Sequence, residues 1–332
     1  MTDRKFSLHL SDLPSSARTP GLHLQRPSHQ WQTLMRSGKI GVAIALLVAV
    51  PAWAGGREVR LSQVNGDIGV VLSYRQEIET EGTTPRDRFY DLQMQIVRAG
   101  EVFMDQSLPA SAESYGRSQP LAPGEHDRPV LDALTVRDLD GDEDPEVLVT
   151  LRTNPVGCCV YSQIYRYNSA RDAYSYLEQN WGASGYLLRD ADEDGNPELF
   201  AADLRFVNQF GIPAAGAGRQ LESSNFTDAV LPLQVWKYER GRLVDITRES
   251  TIPLTSHAYN LWLYYWQRRQ AGEPVTTDPS MKPVWAAYLA DKYLLGEREE
   301  GWQVVRQAYQ AGDRDAFFAR LERFLQEMGY GS

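Results

Sequence analysis

The segment LTVRDLDGDEDPEVLVTL at 134–151 returns 52 residues later as YLLRDADEDGNPELFAAD at 186–203. Arg137-Asp138 aligns with Arg189-Asp190, and Pro145-Glu146 with Pro197-Glu198. A duplicated strand, acidic turn and strand confines the chain to folds that set equivalent β-units side by side, because one such unit cannot bury its own apolar face. Each copy is followed by an aromatic hairpin, YSQIYRYNSARDAYSYL after the first and LPLQVWKYERGRLVDIT after the second. YDLQMQIVRAGEVFMDQ at 90–106 has the same form one unit earlier. Three units are expected, the first without an acidic turn, since SQVNGDIGVVL keeps only Asp67 at the comparable place.

From Val59 to about Ile246, short β-branched and aromatic runs alternate with Gly, Pro, Asn and Asp, which is the pattern of strands and turns. From Ser256 the apolar spacing becomes three and four residues, with Ser256 and Asp313 suited to cap helices. The expected fold is mainly β with a C-terminal α segment. Residues 55–252 form a β-repeat domain whose acidic units lie at about 130–180 and 182–250, and 253–332 form a helical cap. Segments 109–129 and 207–230, rich in Ser, Ala, Gly and Pro, read as long surface loops. The aromatic residues of the tail, among them Trp262, Tyr265, Trp266, Trp285, Tyr288, Tyr293, Trp302, Tyr309, Phe317, Phe318 and Phe324, read as packing core, with a sugar- or peptide-binding groove as the alternative.

The acidic turns crowd carboxylates that repel one another unless a cation lies among them. Oxygens at turn positions one, three, five and nine, with a backbone carbonyl at seven, suit a hard cation that takes six to eight oxygen ligands. Calcium is the natural counter-charge. The ligands in the first turn are Asp138, Asp140, Asp142, the Asp144 carbonyl and Glu146; in the second they are Asp190, Asp192, Asp194, the Asn196 carbonyl and Glu198. An EF-hand is excluded, because Val149 and Ala201 replace its last glutamate, the flanks read as strands, and Glu143 stands where that loop needs glycine. Zinc prefers Cys or His, and magnesium a stricter octahedron. The alternative for each turn is a solvated Asp-Gly turn with no ion.

These turns resemble the D-x-D-G-D-x-x-D/E calcium loops of FG-GAP and VCBS-type repeats, the units of integrin-α-like β-propellers. The resemblance covers roughly 130–250 and implies calcium as cofactor and partial or divergent propeller-like repeats, their open edges covered by the C-terminal helices. The phenylalanine-glycine and glycine-alanine-proline signatures of that family are absent, and three units are fewer than the four or more blades of a closed propeller.

Residues 35–54, MRSGKIGVAIALLVAVPAWA, combine two early basic residues, an apolar run of about 11 residues and Ala52-Trp53-Ala54, the form of a secretory signal peptide cleaved before Gly55. The run is shorter than the roughly 20 residues of a membrane span, so no permanent span is expected after cleavage. Residues 1–34 show no periodic pattern and read as a disordered or untranslated extension, with Met35 a candidate start beside Met1. A periplasmic or secreted location follows. Removing 1–54, with six basic and two acidic residues, from totals of 34 and 44 leaves 28 against 42, a formal charge of −14. Nucleic acid and anionic membrane surfaces are poor partners for such a chain. The adjacent Cys158 and Cys159 read either as small residues on a buried strand or as a strained vicinal disulfide, since their Cα atoms lie at most about 3.8 Å apart.

After the leader only His126 and His257 remain, and no G-x-S-x-G, H-E-x-x-H, P-loop or C-x-x-C occurs. A non-enzymatic binding or structural module at the cell envelope is expected, its partner an envelope protein or glycan. The alternative is a carbohydrate-active hydrolase with an acidic, aromatic-lined cleft.

Overall fold

The computed structural model describes residues 56–79, 86–108, 121–123, 133–153, 160–212 and 230–331. The leader, its start and cleavage site, His126, Cys158 and Cys159 lie outside the described residues.

The chain is mainly β with a helical C-terminal segment. Strands β1 (Arg57–Asn65), β2 (Ile68–Glu79), β3 (Arg86–Arg98) and β4 (Glu101–Ser107) form an antiparallel sheet in sequence order. In the second sheet β7 (Glu146–Thr153), β8 (Val160–Asn168) and β9 (Ala173–Asn180) follow in order. Two short strands, β5 (Leu121–Pro123) and β6 (Leu134–Arg137), share the free edge of β7 end to end. The third sheet runs β10 (Tyr186–Arg189), β11 (Glu198–Ala202), β12 (Leu233–Glu239) and β13 (Arg242–Asp245). Helices α1 (Thr251–Gln270), α2 (Lys282–Leu294), α3 (Arg298–Ala308) and α4 (Arg314–Glu327) complete it.

Side-chain alternation orders the layers. On β7, Val147, Val149 and Leu151 meet Val70, Leu72, Met94 and Ile96 of the first sheet, while Leu148 packs with Leu199, Ala201 and Tyr238 of the third. Both faces of β7 are therefore buried, which explains its unbroken apolar run. On β11 and β12 the residues of opposite parity, Phe200, Ala202, Leu233 and Val235, face Leu254, Leu261, Tyr265 and Trp285 of the helices. Burying each large aliphatic side chain contributes roughly 1.5–3 kcal/mol, and Trp285→Ala, at a fully buried position, should cost about 3–5 kcal/mol.

Of the tail aromatics, Tyr265, Trp285, Tyr288, Tyr293, Trp302, Tyr309 and Phe317 are buried in this core, whereas Trp266 is 43% exposed. Helix α1 starts at Thr251, ahead of Ser256, because Pro253 sits in the first turn where its missing N–H has no intrahelical partner to lose. Asp313 precedes α4 but makes no side-chain cap; it pairs with Lys282 and accepts the Tyr309 hydroxyl instead. The start of 207–230 is not a surface loop, since Phe210 and Ile212 are buried with Phe206 in the helical core. Phe206 meets Phe324 and Tyr330 edge-on at 4.9 and 5.7 Å, an apolar demand that the Gly- and Ala-rich composition conceals. The chain end is clamped to the third sheet. Buried Asp203 accepts Arg205 Nη2–H at 2.6 Å and the Tyr330 hydroxyl at 2.6 Å, while Arg205 Nη1 donates to the Met328 carbonyl at 2.8 Å.

Candidate metal centre

Each acidic turn joins two adjacent antiparallel strands: 138–146 links β6 to β7, and 190–198 links β10 to β11. The last residue of each turn ties it to its start. Glu146 Oε2 accepts the Leu139 N–H at 3.0 Å, and Glu198 Oε2 accepts the Ala191 N–H at 2.9 Å. Asp138 Oδ2 accepts the Glu143 N–H at 2.9 Å, as Asp190 Oδ2 accepts the Gly195 N–H at 3.0 Å. Asp142 Oδ1 takes the Asp144 N–H at 2.9 Å, and its counterpart Asp194 Oδ1 takes that of Asn196 at 2.7 Å. Positive φ recurs at the fourth and sixth positions, Gly141 (76°) and Glu143 (67°) in one turn, Glu193 (61°) and Gly195 (94°) in the other. One glycine serves each turn, at opposite places, and a glutamate takes the other left-handed position.

Of the ten sequence-expected ligand residues, Asp138, Asp140 and Glu146 bring one carboxylate oxygen each within 4.8 Å of the others, and so do Asp190, Asp192 and Asp194. Asp142 is drawn aside to Arg166 Nη2 at 2.7 Å, and Asp144, expected to offer its backbone carbonyl, pairs its side chain with Arg98 Nη1 at 2.5 Å. Glu198 stays outside its group of three. The Asn196 amide lies against the first turn, where a Cβ on Gly141 would meet its Oδ1 at 2.9 Å.

Three shielded oxygens, Asp140 Oδ1, Glu146 Oε1 and Asp190 Oδ1, have no hydrogen-bond partner among the described residues. For Glu146 Oε1 the Arg166 Nε is 3.6 Å away, and the residue is 1% exposed. Burial pushes the Glu146 carboxyl up to about 8 against the Leu139 bond, with the charges of Asp140, Asp142 and Asp138 adding to the rise. Glu198 is raised by burial too. Asp142 is also desolvated, but its bonds to Arg166 and the Asp144 N–H hold it below the usual carboxylate range. The Asn196 N–H and Lys237 hold Asp194 low. Buried acceptors without donors, in an all-oxygen set, fit a hard cation.

Several groups around the turns escape sequence reasoning. Arg98 pairs across from Ile68, Arg166 stands one residue beyond the Val147–Tyr165 pair, and Lys237 one beyond the Leu199–Trp236 pair. All three thus occupy the equivalent place on the third strand of their units, beside the turn. Arg166 and Lys237 reach their own unit's turn, the latter to Asp194 at 3.0 Å, whereas Arg98 reaches the next unit's. The third unit contacts the first turn through the Arg240 N–H, 2.7 Å from Asp140 Oδ2. Fully buried Tyr238, whose hydroxyl has no partner among the described residues, feels the charges of Glu146, Asp140 and Asp142. Arg137 Nη2 donates to the Gly195 carbonyl at 3.3 Å, joining the two turns. Aligning Tyr165-Arg166-Tyr167 with Trp236-Lys237-Tyr238 would have exposed the pattern. His257 is closed to solvent, with its Nδ1 2.6 Å from Asp291 Oδ2 between α1 and α2.

The family model of the sll0997 C-terminal domain matches residues 254–329, the helical segment. The probable thylakoid lumen protein sll0997 of Synechocystis is 25% identical over 246 residues, 74% of this chain and 61% of the relative. The uncharacterized protein y4bJ of Sinorhizobium fredii is 25% identical over 173 residues, 50% of this chain and 23% of its own length. The chain thus spans less than two thirds of either relative. No solved structure matches. No helix among the described residues is long and apolar enough to cross a membrane.

Proposed function

We propose that the chain is a calcium-binding β-repeat module of FG-GAP/VCBS type, a partial propeller of three blade-like sheets covered at one end by helices. It acts as a binding or structural element, not an enzyme, in a periplasmic, secreted or lumen-like compartment at the cell envelope, with an envelope protein or glycan as partner. The observation that carries this reading is the repetition, in one register, of two all-oxygen turns that hold shielded carboxylate oxygens without donors. The name of the Synechocystis relative, a lumen protein, supports the compartment.

Asp138, Asp140 and Glu146 would hold the ion in the first turn, and Asp190, Asp192 and Asp194 in the second. Calcium would supply the positive charge that offsets carboxylate repulsion. The Glu146 and Glu198 side chains, bonded to the opening backbone of their turns, orient the remaining ligands and tie the flanking strands together. Ion binding to the folded state alone stabilises it by RT ln(1 + [L]/Kd), about 1 kcal/mol per turn at millimolar calcium for an extracellular-type site. Melting the wild type in millimolar calcium and in chelator should give a higher Tm with calcium. Asp140→Asn combined with Asp192→Asn should lose most of that rise. Coincident wild-type curves would show that the turns carry no ion.

A further inference from the structure

The outward face of α1 has no partner among the described residues. Leu254, His257, Ala258, Leu261 and Tyr265 point into the core, yet Ile252, Tyr259 and Trp266, seven residues apart, are 79%, 56% and 43% exposed. Trp262 bridges the last two: its ring stacks on Tyr259 at 5.9 Å and on Trp266 at 6.3 Å, with interplanar angles of 29° and 22°. A helix that buries one apolar stripe and exposes another along its length is expected to meet a second surface.

Three features choose the surface. Even if fully covered, three large side chains bury about 150–250 Å² each, and at these exposures the stripe offers at most about 450 Å². A stable dimer needs roughly 800 Å² per partner, so a second copy is a poor fit. Tyr and Trp carry a polar atom on an apolar ring, the combination that settles at the boundary between headgroups and acyl chains. The 20 residues of α1 contain no acidic side chain, although the chain has 44 acidic residues against 34 basic ones. Arg268 and Arg269 close the helix, Arg268 being paired with Glu273 at 2.6 Å. The face thus carries no acid and one cation, Arg269, without an ion pair among the described residues, too little to offset the acidic body, which an anionic surface would repel and an uncharged or zwitterionic one would not.

We propose that α1 docks this Ile252–Tyr259–Trp266 face on the headgroup boundary of an uncharged or zwitterionic lipid bilayer, holding the chain against a membrane without crossing it.

The test is partition of the processed chain, its start at Gly55 checked by intact mass, onto phosphatidylcholine vesicles, read by co-sedimentation and by the blue shift of tryptophan emission. Wild type should bind, and replacing part of the phosphatidylcholine with phosphatidylglycerol should weaken binding. Tyr259→Ser with Trp266→Ser should reduce the partition coefficient at least about tenfold, a loss of 1.4 kcal/mol, while keeping the wild-type melting curve. Val102→Ser, at another exposed apolar site on β4, should change nothing. Absence of wild-type partition, or a double variant within twofold of wild type, would overturn the proposal. So would a wild-type dimer on gel filtration that the double variant dissolves, or retention on insoluble polysaccharide without vesicle binding.

Discussion

The two acidic turns share a backbone trace and a closing glutamate but not a setting. The first lies among three sheets. Arg98 comes from the sheet before it, Arg166 from its own, and the Arg240 N–H and Tyr238 from the sheet after it. On its carboxylates the second has one side-chain cation among the described residues, Lys237, and two of its three grouped carboxylates are exposed where none of the first group is. Duplication has kept the turn while its place in the stack has changed its electrostatics. In the first turn the cations bind Asp142 and Asp144, and of the grouped carboxylates only Glu146 has one near it, Arg166 at 3.6 Å. In the second, Lys237 binds Asp194, a member of the group itself. The first should therefore be the tighter ion site, being more rigid and less contested.

The largest test of this contrast is Gly141→Ala against Gly195→Ala. Both positions have positive φ, so either substitution strains the backbone by about 1–2 kcal/mol. Only at Gly141 does the new methyl also meet a neighbour, the Asn196 amide at 2.9 Å, whereas nothing lies within 4 Å at Gly195. Gly141→Ala should cost about 2–4 kcal/mol in denaturant melts and also blunt the calcium response of the second turn. Gly195→Ala should cost about 1 kcal/mol and leave the first turn's response intact. Equal costs would show that the Asn196 amide swings clear of the new methyl and does not hold the two turns together.

Next in size are the cations. Without calcium, Arg166→Ala should destabilise by about 1–2 kcal/mol, since it strips a partly buried partner from Asp142 and the nearest positive charge from Glu146. Added calcium should restore part of that loss. Lys237→Ala should change stability by less than about 0.5 kcal/mol, since Lys237 pairs with the exposed Asp194 alone among the described residues, whereas Arg166 also faces the buried Glu146. It should instead tighten the weaker step of a calorimetric calcium titration by releasing Asp194. A Lys237→Ala chain with an unchanged titration would remove competition as the source of the difference.

Strand-and-turn punctuation and the 52-residue repeat made both turns legible, because a duplicated acidic pattern survives in linear order. The groups that distinguish the turns were not legible. Arg98 is 46 positions from Asp144, and Arg240 is 100 from Asp140, so no local pattern links them. The insertion after β11 sets Lys237 39 residues beyond Glu198, where Arg166 follows Glu146 by 20, which hides their equivalence. The helical tail was legible as amphipathic spacing, but which aromatics stay outside depends on the helix positions: Tyr265 and Trp266 are neighbours, one buried and one not.

A smaller effect separates the ion steps. Asp140→Asn should remove the tighter step of the titration and Asp192→Asn the weaker one, each abolishing about 1 kcal/mol of stabilisation at millimolar calcium. The reverse order would mean that the charge lent by Arg98 and Arg166 outweighs the rigidity of the first turn.

The smallest concerns the backbone alone. Glu143 and Glu193 hold left-handed φ values of 67° and 61°, which a side chain with a Cβ tolerates at a cost and glycine does not resist. Replacing either by glycine relieves that strain but frees the unfolded chain, a counter-term of about 0.4–1 kcal/mol, so the net gain should be only a few tenths of a kcal/mol. The two sites need not respond alike. Glu143 lies in the turn already pinned from three sides, so relief there should appear fully as stability; Glu193 lies in the more exposed turn, where added freedom should offset more of it. Chelator melts of Glu143→Gly and Glu193→Gly would show this as a larger Tm rise for the first. A larger rise for the second would mean that the exposed turn is the more strained of the two, and that neighbouring sheets relax the first turn as well as neutralise it.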